Sequence, residues 1–270
     1  MIRSGTTGKS VQHHIENDWK GGAVRTLYRE LTSEEIREAA EQDYIAVLPT
    51  GCIEQHGPHL PVDVDFGGFE DMLAEAAELA RETHGLKILV MPPIPYGPAN
   101  EHMGFPGTIS ISYQTYFRFL FEIAVSLIEH GFRRIALAPG CGGHYLEPAA
   151  WEVRRWAAEE GKPAVVWVLS CNYCEIGERL IPGTSDFHAG EFETSLVLAT
   201  REHLVRKEKI RRPKLAEFSF KSAWSMHEIS DTGASGDPTK ATKETGEQIY
   251  RSIIEFWCAQ FKEIEEGEAE

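Results

Sequence analysis

Residues 44–65 read Tyr44-Ile45-Ala46-Val47-Leu48-Pro49-Thr50-Gly51-Cys52-Ile53-Glu54-Gln55-His56-Gly57-Pro58-His59-Leu60-Pro61-Val62-Asp63-Val64-Asp65. The apolar run Tyr44 to Pro49 predicts a buried strand. Just past it, Glu54 and His56 stand two apart, so an extended backbone points both to one side. Asp65 follows after a segment stiffened by Pro58 and Pro61. One imidazole and two carboxylates therefore converge beyond the carboxyl end of a strand, where open α/β sheets bind ligands. Carboxylate oxygen with imidazole nitrogen suits Zn, Mn, Fe(II) or Co. The plainer reading is a surface Glu–His pair beside a turn.

Outward from this stretch, strand and helix alternate. Thr32-Ser33-Glu34-Glu35 is a capping box opening a helix to about Gln42. Gly67 to His84 reads as a helix ended by Gly85, and Lys87 to Met91 as a second strand. Pro95 to Thr108, rich in Gly and Pro, reads as a shaped loop holding His102. An apolar helix is expected over Tyr113 to His130, and a third strand over Arg134 to Ala138. The Gly-rich turn Pro139-Gly140-Cys141-Gly142-Gly143-His144-Tyr145 comes next. The spacing then predicts a helix over Glu147 to Glu160 with Trp151 and Trp156 turned inward, and a strand over Ala164 to Leu169. His188-Ala189-Gly190-Glu191 opens a helix to about His203. Residues 206–222 read as a basic solvated loop, and Lys240 to Glu263 as a final helix. This alternation predicts an α/β fold, a mostly parallel sheet flanked by helices on both faces, in a single domain. Residues 1–22 read as a loose arm (the His13–His14 pair included), 23–263 as the domain and 264–270 as an acidic tail.

Composition narrows the function. The net charge of −15 argues against nucleic-acid or anionic-membrane partners. No apolar run approaches the ~20 residues of a membrane span, and the N-terminus lacks a signal-peptide core, so a cytoplasmic location is expected. Five scattered cysteines do not make a disulfide framework, and the lone Cys171-x-x-Cys174 pair reads as structural. Neither a GxGxxG after the first strand nor a Walker sequence is present, which disfavours nucleotide chemistry.

Four ordered motifs resemble the creatininase (creatinine amidohydrolase) family: Glu54 to Pro61 with Asp65, Glu101-His102-Met103-Gly104-Phe105-Pro106-Gly107-Thr108, His188-Ala189-Gly190-Glu191-Phe192-Glu193-Thr194-Ser195, and Thr232-Gly233-Ala234-Ser235-Gly236-Asp237-Pro238. The resemblance implies a metal-dependent amidohydrolase with two divalent ions per chain (Zn, Mn or Fe). It implies Glu54 on one ion, His56 on the other and Asp65 between them, with His144 and Glu191 completing the metal ligands. Many members carry the ligand histidine directly after the strand's glycine, where this chain has Cys141. His144 is preferred here because Gly143-His144-Tyr145 matches other members, and a cysteine ligand would shift the preference toward zinc.

Such a pair of ions lowers the pKa of a bound water. Attack on an amide carbon then needs an acid for the leaving nitrogen. The resemblance assigns that catalytic role to His188, with a supporting hydrogen-bond role as the alternative. His102, Tyr145 and Phe187 are expected to line the substrate pocket. His59 is expected to pack or orient the ligands, and Glu193 to orient His188 or a ligand. The expected substrate is a small amide: a cyclic amide, a formamide or a short peptide. Creatinine fits less well, because the stretch before His188 holds Phe187 but no tryptophan. A homo-oligomer, hexamers included, is implied as well. The alternative function is a metal- or small-molecule-binding member that has lost catalysis.

Overall fold

A computed structural model describes residues 25–170, 173–182, 188–217 and 224–267. The N-terminal arm, Cys171, Phe187 and part of the basic loop fall outside the described residues, as does the Cys174 side chain.

The elements follow the alternation of the sequence. They are α1 (Ser33–Glu41), β1 (Ile45–Thr50), α2 (Phe69–His84), β2 (Ile88–Val90), α3 (Tyr113–Glu129), β3 (Arg134–Pro139), α4 (Glu147–Glu159), β4 (Val165–Val168), α5 (Tyr173–Leu180), α6 (Glu191–Arg201), α7 (Met226–Ile229) and α8 (Lys243–Gly267). Local chemistry sets several boundaries. Thr32 accepts from the Glu35 amide while the Glu35 carboxylate accepts from the Thr32 amide, which starts α1. Ser112 caps α3 in the same sense through Thr115 N. Gly85, in the left-handed region, closes α2.

The four strands form one parallel sheet in the order β2-β1-β3-β4. Strand β1 is buried along its whole length, as a strand covered on both faces must be. Its alternate side chains divide the core. Ile45 and Val47 face a layer of α2, α5, α6 and α8 that contains Leu73, Ile253 and Trp257. Ala46 and Leu48 face α1, α3 and α4, with Leu120, Leu127 and Val153. The chain leaves β1 toward β2 on one side and returns through β3 on the other. The order therefore reverses between β1 and β3, and a crevice opens beyond their carboxyl ends. Thr50 pairs with Pro139 at that edge.

Three features differ from the sequence reading. Trp151, expected inside, is 65% exposed beneath Arg154, because α4 turns Ala149, Ala150, Val153 and Ala157 inward instead. Trp156 does reach Phe121. The last helix runs to Gly267, since Ile264 is buried in the core and holds the segment that reads as a tail. Helices α5 and α7 are short and carry too few apolar repeats to stand out in the sequence.

Candidate metal centre

The loop leaving β1 and the turn leaving β3 meet in the crevice. Gly140 makes this possible: a Cβ there would lie 2.2 Å from the Asp65 carbonyl oxygen and 2.7 Å from that of Thr50. Without a side chain at 140, the end of the 51–65 loop folds against the strand edge and brings Asp65 to Glu54 and His56. From the other side, Arg201 of α6 binds Asp63 at 2.6 Å, and His59 Nε2 lies 2.9 Å from Thr194 Oγ1. Those two contacts fix the loop to α6, so His59 orients the helix that carries Glu193.

The start of α6 is unusual. Ala189 is fully buried at φ +52°, a left-handed conformation that costs a non-glycine residue of order 1 kcal/mol. Its amide donates to the Glu193 carboxylate. This turn puts His188 and Glu193 on the same side, facing His56. Glu191 starts the helix, partly buried, outside the groups of clustered ligand atoms.

His56 is the centre of the arrangement. It is 1% exposed, and its Nδ1 donates to the Glu54 carbonyl at 3.1 Å. Its Nε2 has no hydrogen-bond partner. That nitrogen faces three carboxylate oxygens: Asp65 Oδ1 at 3.4 Å, Glu193 Oε2 at 3.7 Å and Glu54 Oε1 at 3.9 Å. Asp65 Oδ2 is likewise buried without a partner. Spacings of this size are long for hydrogen bonds and natural for atoms surrounding one cation. Without an ion, burial disfavours the His56 imidazolium, but Asp65 and Glu193 outweigh it and raise the pKa to about 9. Burial, with Cys141 and Asp65 beside it, pushes the Glu54 carboxyl well above its usual range. A buried set this rich in carboxylates calls for positive charge.

Two further histidines flank Glu54 Oε1: His188 Nδ1 at 3.5 Å and His102 Nε2 at 3.6 Å. Gln55 sets their orientation. Its Nε2 donates to His102 Nδ1 at 2.9 Å and to the Gly233 carbonyl at 2.9 Å. His188 Nε2 donates to the Gln55 carbonyl at 2.7 Å, which leaves the Nδ1 lone pair facing the cluster. Ser235 donates to the His188 carbonyl from its amide at 2.9 Å, which ties the 232–238 motif to the centre. Burial first, and the neighbouring His56 and His102 next, hold the His188 imidazole neutral with a pKa well below the ordinary value.

The turn after β3 brings sulfur. The ligand atoms of Cys52, Glu54, Asp65 and Cys141 all lie within 4.8 Å of one another. His144 joins Cys52 and Cys141 in a separate group. Its Nε2 is 2.9 Å from Cys52 Sγ, and its Nδ1 is 3.0 Å from the Tyr116 hydroxyl. Burial lowers its pKa to about 4. Tyr145 is 66% exposed.

The structure thus brings Glu54, His56, Asp65, His102 and His188 together, with His144 adjoining through the cysteines. It adds Cys52 and Gln55, and it draws in Cys141 and Glu193, which the sequence offers as an alternative ligand and an orienting residue. The Gly140-Cys141 position was the available signal for sulfur. Gln55 gave none, because an amide beside strong ligands does not stand out.

Comparison with known proteins finds relatives over most of the chain. The creatininase family model, described as creatinine amidohydrolase, matches residues 29–261. A mycofactocin precursor peptide peptidase from Mycolicibacterium smegmatis is 31% identical over 221 residues, 78% of this chain and 81% of the relative. A creatinine amidohydrolase from Pseudomonas putida is 31% identical over 202 residues, covering 67% and 74%. Among solved structures, a mutant creatininase of Zn–Zn type superposes with a TM-score of 0.78 at 26% identity, over 88% of this chain and 97% of that one.

Proposed function

The chain belongs to the creatininase family, and from that premise we propose that it is a divalent-metal-dependent amidohydrolase acting on a C–N bond of a small amide, short peptides included. The observation that carries the metal reading is the partnerless His56 Nε2, buried and ringed by Asp65, Glu193 and Glu54. His56, Asp65 and Glu193 would hold one ion, and Glu54 with Asp65 would contribute to holding a second. Bound divalent ions would polarise the amide carbonyl and lower the pKa of a nearby water.

The chain's own residues do the rest. His188 presents the Nδ1 lone pair to the cluster, 3.5 Å from Glu54, where an imidazole can take a proton and deliver it to the leaving nitrogen. Gln55 keeps His188 in that tautomer and keeps the His102 Nε2–H on Glu54. Ala189 and Glu193 fix the backbone on which His188 stands. Phe187 and Tyr145 remain the proposed substrate-facing aromatics, with His102 at the pocket wall.

The test compares metal-depleted protein with protein reloaded with Zn or Mn, on creatinine, N-formyl amino acids and short peptides. Hydrolysis that depends on the metal and falls by roughly 10²–10⁴-fold in His188→Asn, with the metal retained, supports the reading. Metal-loaded protein inert on all three classes refutes it in favour of a binding member without catalysis.

A further inference from the structure

The metal centre is not uniform in chemistry. Around His56, Asp65 and Glu193 the donors are nitrogen and oxygen. Around Glu54 and Asp65 the neighbouring atoms include two sulfurs, those of Cys52 and Cys141. The two cysteines come from different strand ends. Cys52 follows β1 and is fully buried, and Cys141 follows β3. These strands are neighbours in the sheet, so the sulfurs meet through the topology of the crevice. One ligand atom from each of Cys52, Glu54, Asp65 and Cys141 falls within a span of 4.8 Å. Asp65, 8% exposed, keeps its Oδ2 buried without a hydrogen-bond partner. His144 stands behind the sulfurs. It is held at Nδ1 by Tyr116 and by Thr50 Oγ1 at 3.4 Å, and it contacts Cys52 Sγ through Nε2. An imidazole anchored on one nitrogen and touching a ligand atom with the other is how an outer residue orients a metal ligand.

We propose that Cys52 and Cys141 are thiolate ligands, with Glu54 and Asp65, of one of the two ions, and that His144 is a positioning residue for Cys52. On binding, each S–H bond gives way to a sulfur–metal bond and the two protons leave to solvent. Two thiolates and two carboxylates make a four-donor set that selects zinc over manganese or magnesium, whereas the His56 position accepts a wider range. The inference rests on the metal-centre reading above and adds to it the identity of the ion in one half.

The test is optical. Metal-depleted protein, kept reduced with a phosphine, is titrated with Co²⁺. Sulfur-to-cobalt charge transfer in the near ultraviolet is expected beside the visible ligand-field bands, with zinc removing it. Cys52→Ser and Cys141→Ser should each lower it by about half, and the double variant should abolish it while ligand-field bands from the His56 position persist. Where a serine variant fails to fold, the alanine variant at the same position supplies the comparison, and Cys171→Ser with Cys174→Ser should leave the charge-transfer band in place. Cobalt bound with ligand-field bands and no charge transfer overturns the thiolate assignment and leaves the metal centre standing. No cobalt uptake overturns both.

Discussion

Gly246→Ala tests the packing that places Glu193. Gly246 lies in the first turn of α8, against the backbone of α6. A Cβ at 246 would sit 1.8 Å from the Ser195 carbonyl oxygen and 2.9 Å from the Ala199 Cβ. The oxygen belongs to the main chain and cannot rotate away, so the two helices must part by more than an ångström. Against this stands the better helix propensity of alanine, worth up to about 1 kcal/mol. Overpacking costs about 1–3 kcal/mol, and a backbone clash belongs at the upper end. The net expectation is a loss of about 1–2 kcal/mol, which for a domain of this size lowers Tm by roughly 2–8 °C. The assay is thermal unfolding of the metal-free protein, so that ion binding does not mask the change. Gln248→Ala, on the exposed side of the same helix, should stay within about 0.5 kcal/mol. Because Ser195 is two residues from Glu193, the Gly246 variant should bind metal more weakly too. A Gly246→Ala protein as stable as the wild type would refute the close α6–α8 contact on which this reasoning rests.

The metal-free protein should lose stability on both sides of neutrality. Burial holds His59 at a pKa of about 4, below its unfolded value of about 6.5, so stability falls as pH drops from 6.5 toward 4, by roughly 3 kcal/mol from this residue. His56 has the opposite sign: its folded pKa of about 9 gives stability that is complete below 6.5 and lost as pH rises through 9. Denaturant titrations across pH check both limbs, and His59→Gln should reduce the acid one by that share, the buried His102, His144 and His188 keeping the rest, and leave the alkaline one unchanged. Gln55→Met strips His102 of its donor and leaves the Gly233 carbonyl and Gly57 amide without their side-chain partner. It should cost about 1–3 kcal/mol in unfolding experiments and lower turnover about 10–100-fold. Unchanged stability would show that the amide holds nothing in place. Tyr116→Phe removes the hydroxyl that anchors His144 Nδ1 and should weaken zinc retention against a chelator by about 10-fold while leaving the fold intact.

The fold was legible because β1 is a short apolar run followed at once by polar ligands, and because caps such as Thr32–Glu35 announce themselves locally. Glu54 and His56 were legible for the same reason, since extended backbone fixes which residues share a side, whereas Asp65 reaches them only because the loop folds back against Gly140. The place of Glu193 beside His56 was not legible, because it depends on the left-handed Ala189, a tertiary strain that residue spacing does not record. The turn after β3 was ambiguous because Cys141 and His144 both occupy it, and only packing against Gly97, Tyr116 and Cys52 shows where the imidazole goes. Trp151 was misread because an aromatic residue in an amphipathic helix looks like core, whereas α4 fills its buried side with alanines and Val153.

The most direct test of the central claim is metal content by elemental mass spectrometry, on freshly purified wild type beside Asp65→Asn, Glu193→Gln and Glu191→Gln. About two divalent ions per chain are expected in the wild type. Asp65→Asn should lose both, since that residue is shared, and Glu193→Gln should lose the ion at His56. Glu191→Gln should keep the full complement. One ion or none in metal-supplemented wild type, or full occupancy in Asp65→Asn, would contradict it.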